Sequence, residues 1–229
     1  MNSDLYHIEY DVLNIAGQEV KVFAATNIDE LLDHLISKGE GHDDVQDERI
    51  PYFVELWPSA IRLAELILEG SIKLEGRSVI EIGCGSGLAG LAAGLAGTES
   101  VLLTDYLPDA LEFARNMWNL NLKRPAMTAL LDWRDPVVDA PYDVILAADV
   151  AYEERNFQPL IDTFNKILAP NGVIYLTEPS RAVAKPFVGM LQENGFTLST
   201  ESASVFHQNH QHSILCHQIN RVGDSGSTH

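Results

Sequence analysis

Residues 79–87 have the sequence Val79-Ile80-Glu81-Ile82-Gly83-Cys84-Gly85-Ser86-Gly87. A short apolar run, typical of a buried strand, leads directly into three glycines at alternate positions, and a helical pattern follows them. Glycine lets a ligand approach the bare backbone, and the first turn of a helix offers free N–H groups and a partial positive charge. The stretch therefore predicts a strand, a ligand-binding turn and a helix.

An acid follows the next predicted strand. Residues 101–104 form a second apolar run that ends at Asp105. In a doubly wound sheet this position faces the crevice at the carboxyl ends of the strands, where a carboxylate can accept the hydroxyls of a ribose. The order of strand, glycine turn, helix, strand and acid predicts a nucleoside-binding unit.

The glycines fit two different spacing patterns, so they do not determine which nucleoside binds. The stretch Gly85-Ser86-Gly87-Leu88-Ala89-Gly90 fits the G-x-G-x-x-G pattern of NAD sites, which also place an acid about 20 residues further on. Counted from Gly83, which adjoins the strand, the spacing is G-x-G-x-G preceded by Glu81, the register of S-adenosylmethionine enzymes. In that register the turn lies against a methionine tail, and Glu81 can face its ammonium end. Periodicity alone does not separate the two ligands.

Strands and helices alternate outward from this unit. Helical spacing follows Pro58 and Pro108 and recurs over 157–168 and 183–191, and Pro170-Asn171-Gly172 predicts the end of the third of these helices. Short strands are predicted at 78–82, 101–104, 129–131, 143–148 and 173–177. Two final strand-like runs, 196–205 and 213–220, are expected to pair antiparallel. The pattern predicts an α/β fold with a doubly wound, mostly parallel sheet.

Three regions are predicted along the chain: an extension over 1–50, the α/β domain over 51–220 and a flexible tail over 221–229. In the extension, two β-favouring runs flank Ala16-Gly17-Gln18 and predict a hairpin, and a short helix follows it.

The segment 39–48, GEGHDDVQDE, contains one aliphatic residue and predicts a loop or mobile lid. Its acids are expected to be a solvated charge cluster; they are Asp43, Asp44, Asp47 and Glu48.

The composition is that of a globular chain with a strongly negative charge. Of 229 residues, 46% are hydrophobic and 21% are charged, and the net charge is −18. Such a surface repels phosphate backbones and anionic lipid, which argues against nucleic acid and membrane partners. It suits a basic partner, and net charge alone is also explained by an adaptation for solubility. Two cysteines without paired spacing, no signal-peptide pattern and no long apolar run predict a cytoplasmic protein.

Five motifs occur in the order of a known family. They are Glu55-Leu56-Trp57-Pro58-Ser59-Ala60, Glu81-Ile82-Gly83-Cys84-Gly85-Ser86-Gly87-Leu88, Leu103-Thr104-Asp105, Leu131-Asp132-Trp133 and Ala148-Asp149-Val150-Ala151-Tyr152. Together they resemble the class I, seven-strand S-adenosylmethionine methyltransferases, specifically the lysine-methyltransferase-like group called methyltransferase family 16. The resemblance covers about residues 50–220. It implies a seven-stranded sheet of order 3-2-1-4-5-7-6 with the last strand antiparallel.

The resemblance also implies S-adenosylmethionine as the cofactor and a role for each motif. The backbone of the glycine turn would hold the methionine portion, and the acid after the second strand would hold the ribose. Trp57 would close the pocket, and Trp133 would flank the adenine. The expected cofactor-binding residues are Trp57, Glu81, Gly83, Cys84, Gly85, Asp105, Trp133 and Ala148. Asp149 and Tyr152 would line the entrance for the methyl acceptor.

The implied activity is N-methylation of an amine, with a protein lysine favoured over a small-molecule amine. A lysine has a pKa near 10.4 and must lose its proton before attack. A nearby Asp149 would favour the ammonium form, so Asp149 and Tyr152 are predicted to orient the acceptor, and the route of the proton stays open. The alternatives are an NAD-binding oxidoreductase and a non-catalytic nucleoside-binding module.

Some of these residues also have plain structural interpretations. Trp57 and Trp133 could be core aromatics. The histidines at 207, 210 and 212 suggest a metal cluster, but their predicted loop holds no cysteine or acid, so no metal site is expected.

Overall fold

The protein is described by a computed structural model over residues 5–139 and 141–223. Residues 1–4 of the predicted extension and 224–229 of the predicted tail lie outside the described residues. Within the described chain, a two-stranded hairpin accompanies a seven-stranded sheet flanked by helices.

The extension begins with strands β1 (Ile8–Ile15) and β2 (Gln18–Ala25), which pair antiparallel as predicted. The turn residues Ala16 and Gly17 both have positive φ, 51° and 83°, as a two-residue turn that follows the strand twist requires. Helix α1 (Ile28–Ser37) follows. The acidic segment then contains a short helix, α2 (Asp43–Gln46), where the sequence predicted a loop. This helix is capped by His42, whose Nδ1 accepts the Asp44 amide at 3.1 Å.

The α/β domain starts after a single 3-10 turn at Tyr52–Val54. Its first half contains α3 (Pro58–Leu68), β3 (Val79–Ile82), α4 (Leu88–Leu95), β4 (Val101–Asp105), α5 (Pro108–Asn121) and β5 (Met127–Leu130). The two prolines open their helices, where the missing N–H removes no intrahelical bond.

The second half of the domain contains β6 (Tyr142–Ala148), α6 (Phe157–Ile167), β7 (Leu168–Glu178), α7 (Lys185–Glu193), β8 (Phe196–His207) and β9 (His210–Arg221). Strand β7 begins earlier than predicted, directly after α6. The predicted stop at 170–172 lies in an irregularity where the register against β6 shifts between Tyr142 and Val144. The last two strands are longer than predicted and meet at a two-residue turn, Gln208 and Asn209, both at positive φ.

The sheet has the order β5-β4-β3-β6-β7-β9-β8, and β9 runs antiparallel to both of its neighbours. Written in domain order this is 3-2-1-4-5-7-6, so the predicted α/β fold and strand order are confirmed. Parallel strands share their carboxyl ends, and β3, β4 and β6 therefore end at one edge next to one another.

Two buried clusters cover the two faces of the sheet. Val144 and Leu146 of β6 pack with α3, α4 and α5, whereas Ile145 and Ala147 pack with α6 and α7. This alternation is the period-two pattern of a strand buried on both sides.

The N-terminal hairpin packs onto this domain through an aromatic cluster. The ring centroids of Phe23 in β2 and Phe113 in α5 lie 5.0 Å apart, and Tyr6 and Phe53 contact the same Phe113 ring. The Tyr6 hydroxyl also donates to Asp109 at 3.2 Å. The described part of the extension thus shares a buried core with the α/β domain.

The carboxyl end of the described chain is anchored rather than frayed. Arg221, predicted to open the flexible tail, is the last residue of β9 and donates to the carbonyl oxygens of Asn165 and Leu168. No helix among the described residues is long and apolar enough to cross a membrane.

Candidate functional site

A cavity of about 530 Å³ lies at the carboxyl ends of β3, β4 and β6. Its volume is in the range of small-molecule and cofactor sites. Nine of the ten residues predicted for the site line it, and Glu81 does not. They come from the glycine turn, the ends of β4 and β6, the segment after β5 and the entry to α3.

The glycine turn forms the floor of the cavity in a left-handed backbone conformation. Gly83 has a φ of 57°, and a Cβ there would lie 2.9 Å from the Trp133 ring and 3.1 Å from Val150. Gly87, at φ 75°, ends the turn, and a Cβ there would lie 2.8 Å from Ala114. Both positions require glycine, because other residues seldom adopt this φ and a side chain would collide.

Asp105 lies beside the turn with both carboxylate oxygens engaged. Oδ2 accepts the Gly85 amide and Oδ1 accepts the Leu107 amide, each at 3.0 Å. Burial raises the pKa of this carboxyl above its ordinary value, and the two amides oppose that rise. A carboxylate oxygen has more than one acceptor position, so Asp105 is held in place and can still accept a ligand hydroxyl.

Cys84 contributes backbone rather than a reactive thiol. Its side chain is buried, and burial raises the pKa of the thiol well above its ordinary value. Cys216 is the other cysteine, and both thiols are free. Because the thiolate is the nucleophilic form, the buried thiol of Cys84 is a poor nucleophile.

The prediction that Glu81 faces the cavity is wrong. Side chains alternate along β3, so Glu81 points to the face covered by α4, where its carboxylate accepts the Gly90 amide at 2.8 Å. The side chain is 1% exposed, and burial raises its pKa to about 8. Glu81 therefore joins a strand to a helix and does not line the cavity.

Trp57 and two tyrosines form the rim on the side of α3. The Trp57 indole N–H donates to the Tyr52 carbonyl at 2.9 Å. The Tyr52 ring stands edge-on to both Trp57 and Tyr152, with centroids 5.9 Å apart in each case. Burial raises the pKa of Tyr152, so its hydroxyl keeps its proton at neutral pH.

Asp149 follows β6 in an unusual conformation. Its φ is 54°, a left-handed value, and its amide donates to the Thr177 carbonyl of β7 at 2.8 Å. Arg181 donates to both carboxylate oxygens, at 2.9 and 3.2 Å. Burial raises the pKa of Asp149 from 3.8 to about 6, although Arg181 opposes the rise.

The acidic segment 43–48, here called the strap, lies across the entrance. Asp47 forms an ion pair with Arg134, and Glu48 forms one with Arg155 at 2.8 Å. The hydrogen bond from Arg134 lowers the pKa of Asp47. The interpretation of these acids as a solvated cluster is therefore wrong for Asp47 and for Asp44, which pairs with Lys38 and Arg49, whereas Glu48 stays exposed although it is paired.

Three arginines of the site were missed by the sequence analysis. Arg134, Arg155 and Arg181 all line the cavity and each binds carboxylates. Arg134 directly follows the predicted Leu131-Asp132-Trp133 motif, which was the available signal. The other two follow strands β6 and β7 without any motif; Arg155 binds Glu153 nearby and Glu48 at 107 positions distance, and Arg181 binds Asp149 at 32 positions distance.

The histidine cluster lies away from the cavity, in β8 and β9. Among the residues that the structure describes, no group of three or more His, Cys, Asp or Glu could hold a metal ion.

The chain matches the sequence model of a family described as lysine methyltransferase, methyltransferase family 16, over residues 46–194. This range includes the glycine turn, Asp105, Trp133, Asp149 and Tyr152.

Two curated relatives are similar at about one third identity. EEF1A lysine methyltransferase 3 of Mus musculus is 33% identical over 138 residues, which are 58% of this chain and 59% of that protein. Histone-arginine methyltransferase METTL23 of Homo sapiens is 32% identical over 127 residues, 53% of this chain and 66% of that protein. The chain thus spans less than two thirds of the length of these relatives.

A solved structure shares the fold. N-methyltransferase NodS from Bradyrhizobium japonicum WM9, in complex with S-adenosyl-L-homocysteine, gives a TM-score of 0.52 at 18% identity and covers 80% of this chain and 95% of that chain. The family match supports S-adenosylmethionine as the cofactor and disfavours the NAD alternative. The family implied by the five sequence motifs is confirmed, and the chain belongs to the lysine methyltransferases of methyltransferase family 16.

Proposed function

We propose that this chain is an S-adenosylmethionine-dependent methyltransferase that methylates a lysine side chain of a protein. One observation carries the proposal: a single cavity joins the glycine turn and Asp105 to an aromatic and acidic entrance, within the range that matches the family. The relative in Mus musculus, named as a lysine methyltransferase, supports the choice of acceptor.

The residues of the turn fit the cofactor. Gly83, Cys84 and Gly85 offer backbone without side-chain obstruction to a methionine tail, and Asp105 offers a fixed carboxylate to the ribose hydroxyls. Trp133 presents a ring for the adenine. Ala148 and Trp57 complete the lining.

When bound, the cofactor supplies a methyl group whose bond to sulfur breaks, the electron pair staying on sulfur, as the acceptor lone pair forms the N–C bond. The chain contributes position, since alignment of the reacting atoms accounts for much of the rate in such a displacement. Asp149 and Tyr152 orient the amine from the entrance. The proton of the acceptor leaves to water before the attack.

The acidic character of the chain suits a basic protein segment as substrate. The net charge is −18, and strap acids lie at the entrance. Opposite charge speeds the encounter of such partners. We place the reaction in the cytoplasm, a location supported by two free cysteines.

A second acceptor, arginine, is favoured by one observation. The relative in Homo sapiens is named as a histone-arginine methyltransferase and is almost as similar as the lysine methyltransferase. Lysine and arginine are both cations at neutral pH, so charge does not separate them.

Calorimetry with S-adenosylmethionine, S-adenosylhomocysteine and NAD tests the cofactor. We expect both sulfur ligands to bind and NAD not to bind. Tight binding of NAD alone would overturn the class.

Transfer of tritiated methyl groups to a dialysed cell lysate tests the acceptor. Hydrolysis of the labelled protein should release methyllysine. Release of methylarginine would support the second acceptor, and label confined to small molecules would overturn a protein substrate.

A further inference from the structure

Arg181 covers the carboxylate that faces the acceptor. Its guanidinium donates to Oδ1 and Oδ2 of Asp149 at 2.9 and 3.2 Å, the parallel geometry that arginine forms with carboxylates. The Asp149 side chain is 10% exposed and that of Arg181 is 39% exposed. The arginine is therefore the more accessible member of the pair at the entrance.

Two further contacts fix Arg181. Its amide donates to the Glu178 carboxylate at 3.2 Å, at the end of β7. Its guanidinium carbon lies 5.9 Å from the centre of the Trp57 ring, within the range of a cation–π contact. Backbone, ring and carboxylate thus hold the charge beside Asp149.

The other ionisable groups around Asp149 come from four parts of the fold. Glu178 adds negative charge from β7, and behind it His217 of β9 lies 3.8 Å from the Glu178 carboxylate. Tyr152 follows β6, and Tyr52 precedes α3; both line the same cavity. Among the groups that shift the pKa of Asp149, Arg181 is the cation.

This arrangement bears on the proton of the acceptor. A lone carboxylate beside a lysine stabilises the ammonium form, which has no lone pair for attack. A cation bound to that carboxylate cancels the stabilisation. The pair can still orient the amine by hydrogen bonds while it leaves the amine free to lose its proton.

We propose that Arg181 is a positioning residue that neutralises Asp149 and thereby lets the acceptor enter the reaction as a neutral amine. This inference rests on the proposed function. It assigns to the segment after β7 a control over the protonation of the substrate, which is separate from cofactor binding.

The test compares four proteins by single-turnover methyl transfer between pH 7 and 10, with the acceptor protein that the lysate experiment labels. They are the parent chain, Arg181→Gln, the double variant Arg181→Gln with Asp149→Asn, and the control Arg155→Gln. Arg155 lines the same cavity and binds Glu48 and Glu153 instead of Asp149.

Arg181→Gln should lower the rate about tenfold at pH 7 and much less at pH 10, because the midpoint of the alkaline rise moves upward by about one pH unit. In the double variant the midpoint should return toward that of the parent, since both charges are gone. Arg155→Gln should keep the parent midpoint.

An unmoved midpoint in Arg181→Gln, or a double variant that does not return, would overturn the role of Arg181. So would a loss of S-adenosylhomocysteine affinity in the same proportion as the rate at every pH. A parent chain that labels no acceptor at any pH would instead overturn the proposed function.

Discussion

The two walls of the cavity are built on different physical principles. The turn wall, formed by Gly83, Cys84, Gly85 and Asp105, consists of backbone and one buried acid held by two amides. The entrance wall, formed by Trp57, Asp149, Tyr152, Arg181 and the strap, consists of side chains from separate segments. Arginine–carboxylate pairs and aromatic edges hold it together.

The difference separates two tasks. The turn wall is sterically determined, since a Cβ at Gly83 would collide with Trp133. The entrance wall is held largely by half-exposed ion pairs, which contribute little each and weaken with salt. A rigid wall suits a constant cofactor, and an adjustable one suits an acceptor that is a whole protein.

The largest effect is expected behind the turn wall, at Gly90. In Gly90→Ala the new Cβ would lie 2.1 Å from Leu103 and 2.7 Å from the Glu81 carboxylate. Overpacking of this kind should lower the free energy of unfolding by about 3 kcal/mol. Gly189→Ala, in α7 with open space around it, is the matched control and should gain up to about 1 kcal/mol. Urea titration measures both; equal stabilities would show that the packing behind the turn wall is not tight.

The next effect is a pH dependence from Glu81. In the folded chain Glu81 keeps its proton up to pH about 8, whereas in the unfolded chain it releases the proton near pH 4.5. The free energy of unfolding therefore falls as pH rises between these values. Glu81→Gln cannot ionise and should remove at least about 1.4 kcal/mol of this loss, the equivalent of one pKa unit. Denaturation midpoints at pH 5 and 8 measure it, in low and high salt. Parallel pH curves for the parent and the variant would contradict the prediction.

Asp105→Ala sharpens the comparison on the ligand side. Loss of hydrogen bonds to a charged acceptor, each about 1.5–3 kcal/mol, should weaken S-adenosylmethionine binding at least about tenfold. Asp105→Asn keeps an oxygen for one backbone amide and serves as the control for the local fold. Calorimetry measures the S-adenosylmethionine affinity of both variants. Unchanged affinity in Asp105→Ala would show that Asp105 does not bind the ribose.

Tyr152→Phe makes the corresponding change in the entrance wall. The ring contact with Tyr52 persists, while the hydroxyl is lost. Methyl transfer should fall by roughly tenfold, since misplacement of about 1 Å can cost on the order of 100-fold. S-adenosylmethionine affinity should stay within a few-fold of the parent. A parallel loss of binding and transfer would assign Tyr152 to the cofactor instead.

The smallest effect is expected in the strap. Asp47→Asn removes the ion pair with Arg134, whose side chain is half-exposed, and stability should change little. Amide hydrogen exchange over 43–48 should rise a few-fold at low salt, and the difference from the parent should vanish at 1 M salt. Asp43→Asn makes the same charge change at an exposed position of α2 and controls for it. A difference that persists in high salt would mean that the strap is not held electrostatically.

The turn wall was predictable from sequence because its determinants are local. The apolar run before Gly83 and the helical pattern after it lie within a few residues, and Asp105 ends the adjacent strand. The error at Glu81 came from using the spacing to the glycines without the alternation of side chains along β3, which points it at Gly90.

The entrance wall was predictable only where a motif existed. Asp149 and Tyr152 belong to one, but Arg181 binds a residue 32 positions away, and local periodicity contains no trace of that contact. The strap looked solvated for the same reason, since a polar stretch has the same pattern whether its charges are paired or free. The flexible tail was predicted to begin at Arg221, but the hydrogen bonds of this residue likewise reach residues more than 50 positions away in sequence.

The strap also has a consequence for how the molecule assembles. Its two long-range ion pairs, Asp47–Arg134 and Glu48–Arg155, close loops of 87 and 107 residues, so their entropic cost is incurred before any contact between the ends can compensate it. Neither pair can form until β5 and β6 have joined the sheet and carried Arg134 and Arg155 to its edge. We therefore expect the entrance to form after the sheet and to open locally at a free energy below that of global unfolding. A chain that is otherwise native can thus expose its cofactor cavity by a local fluctuation, without unfolding any strand of the sheet.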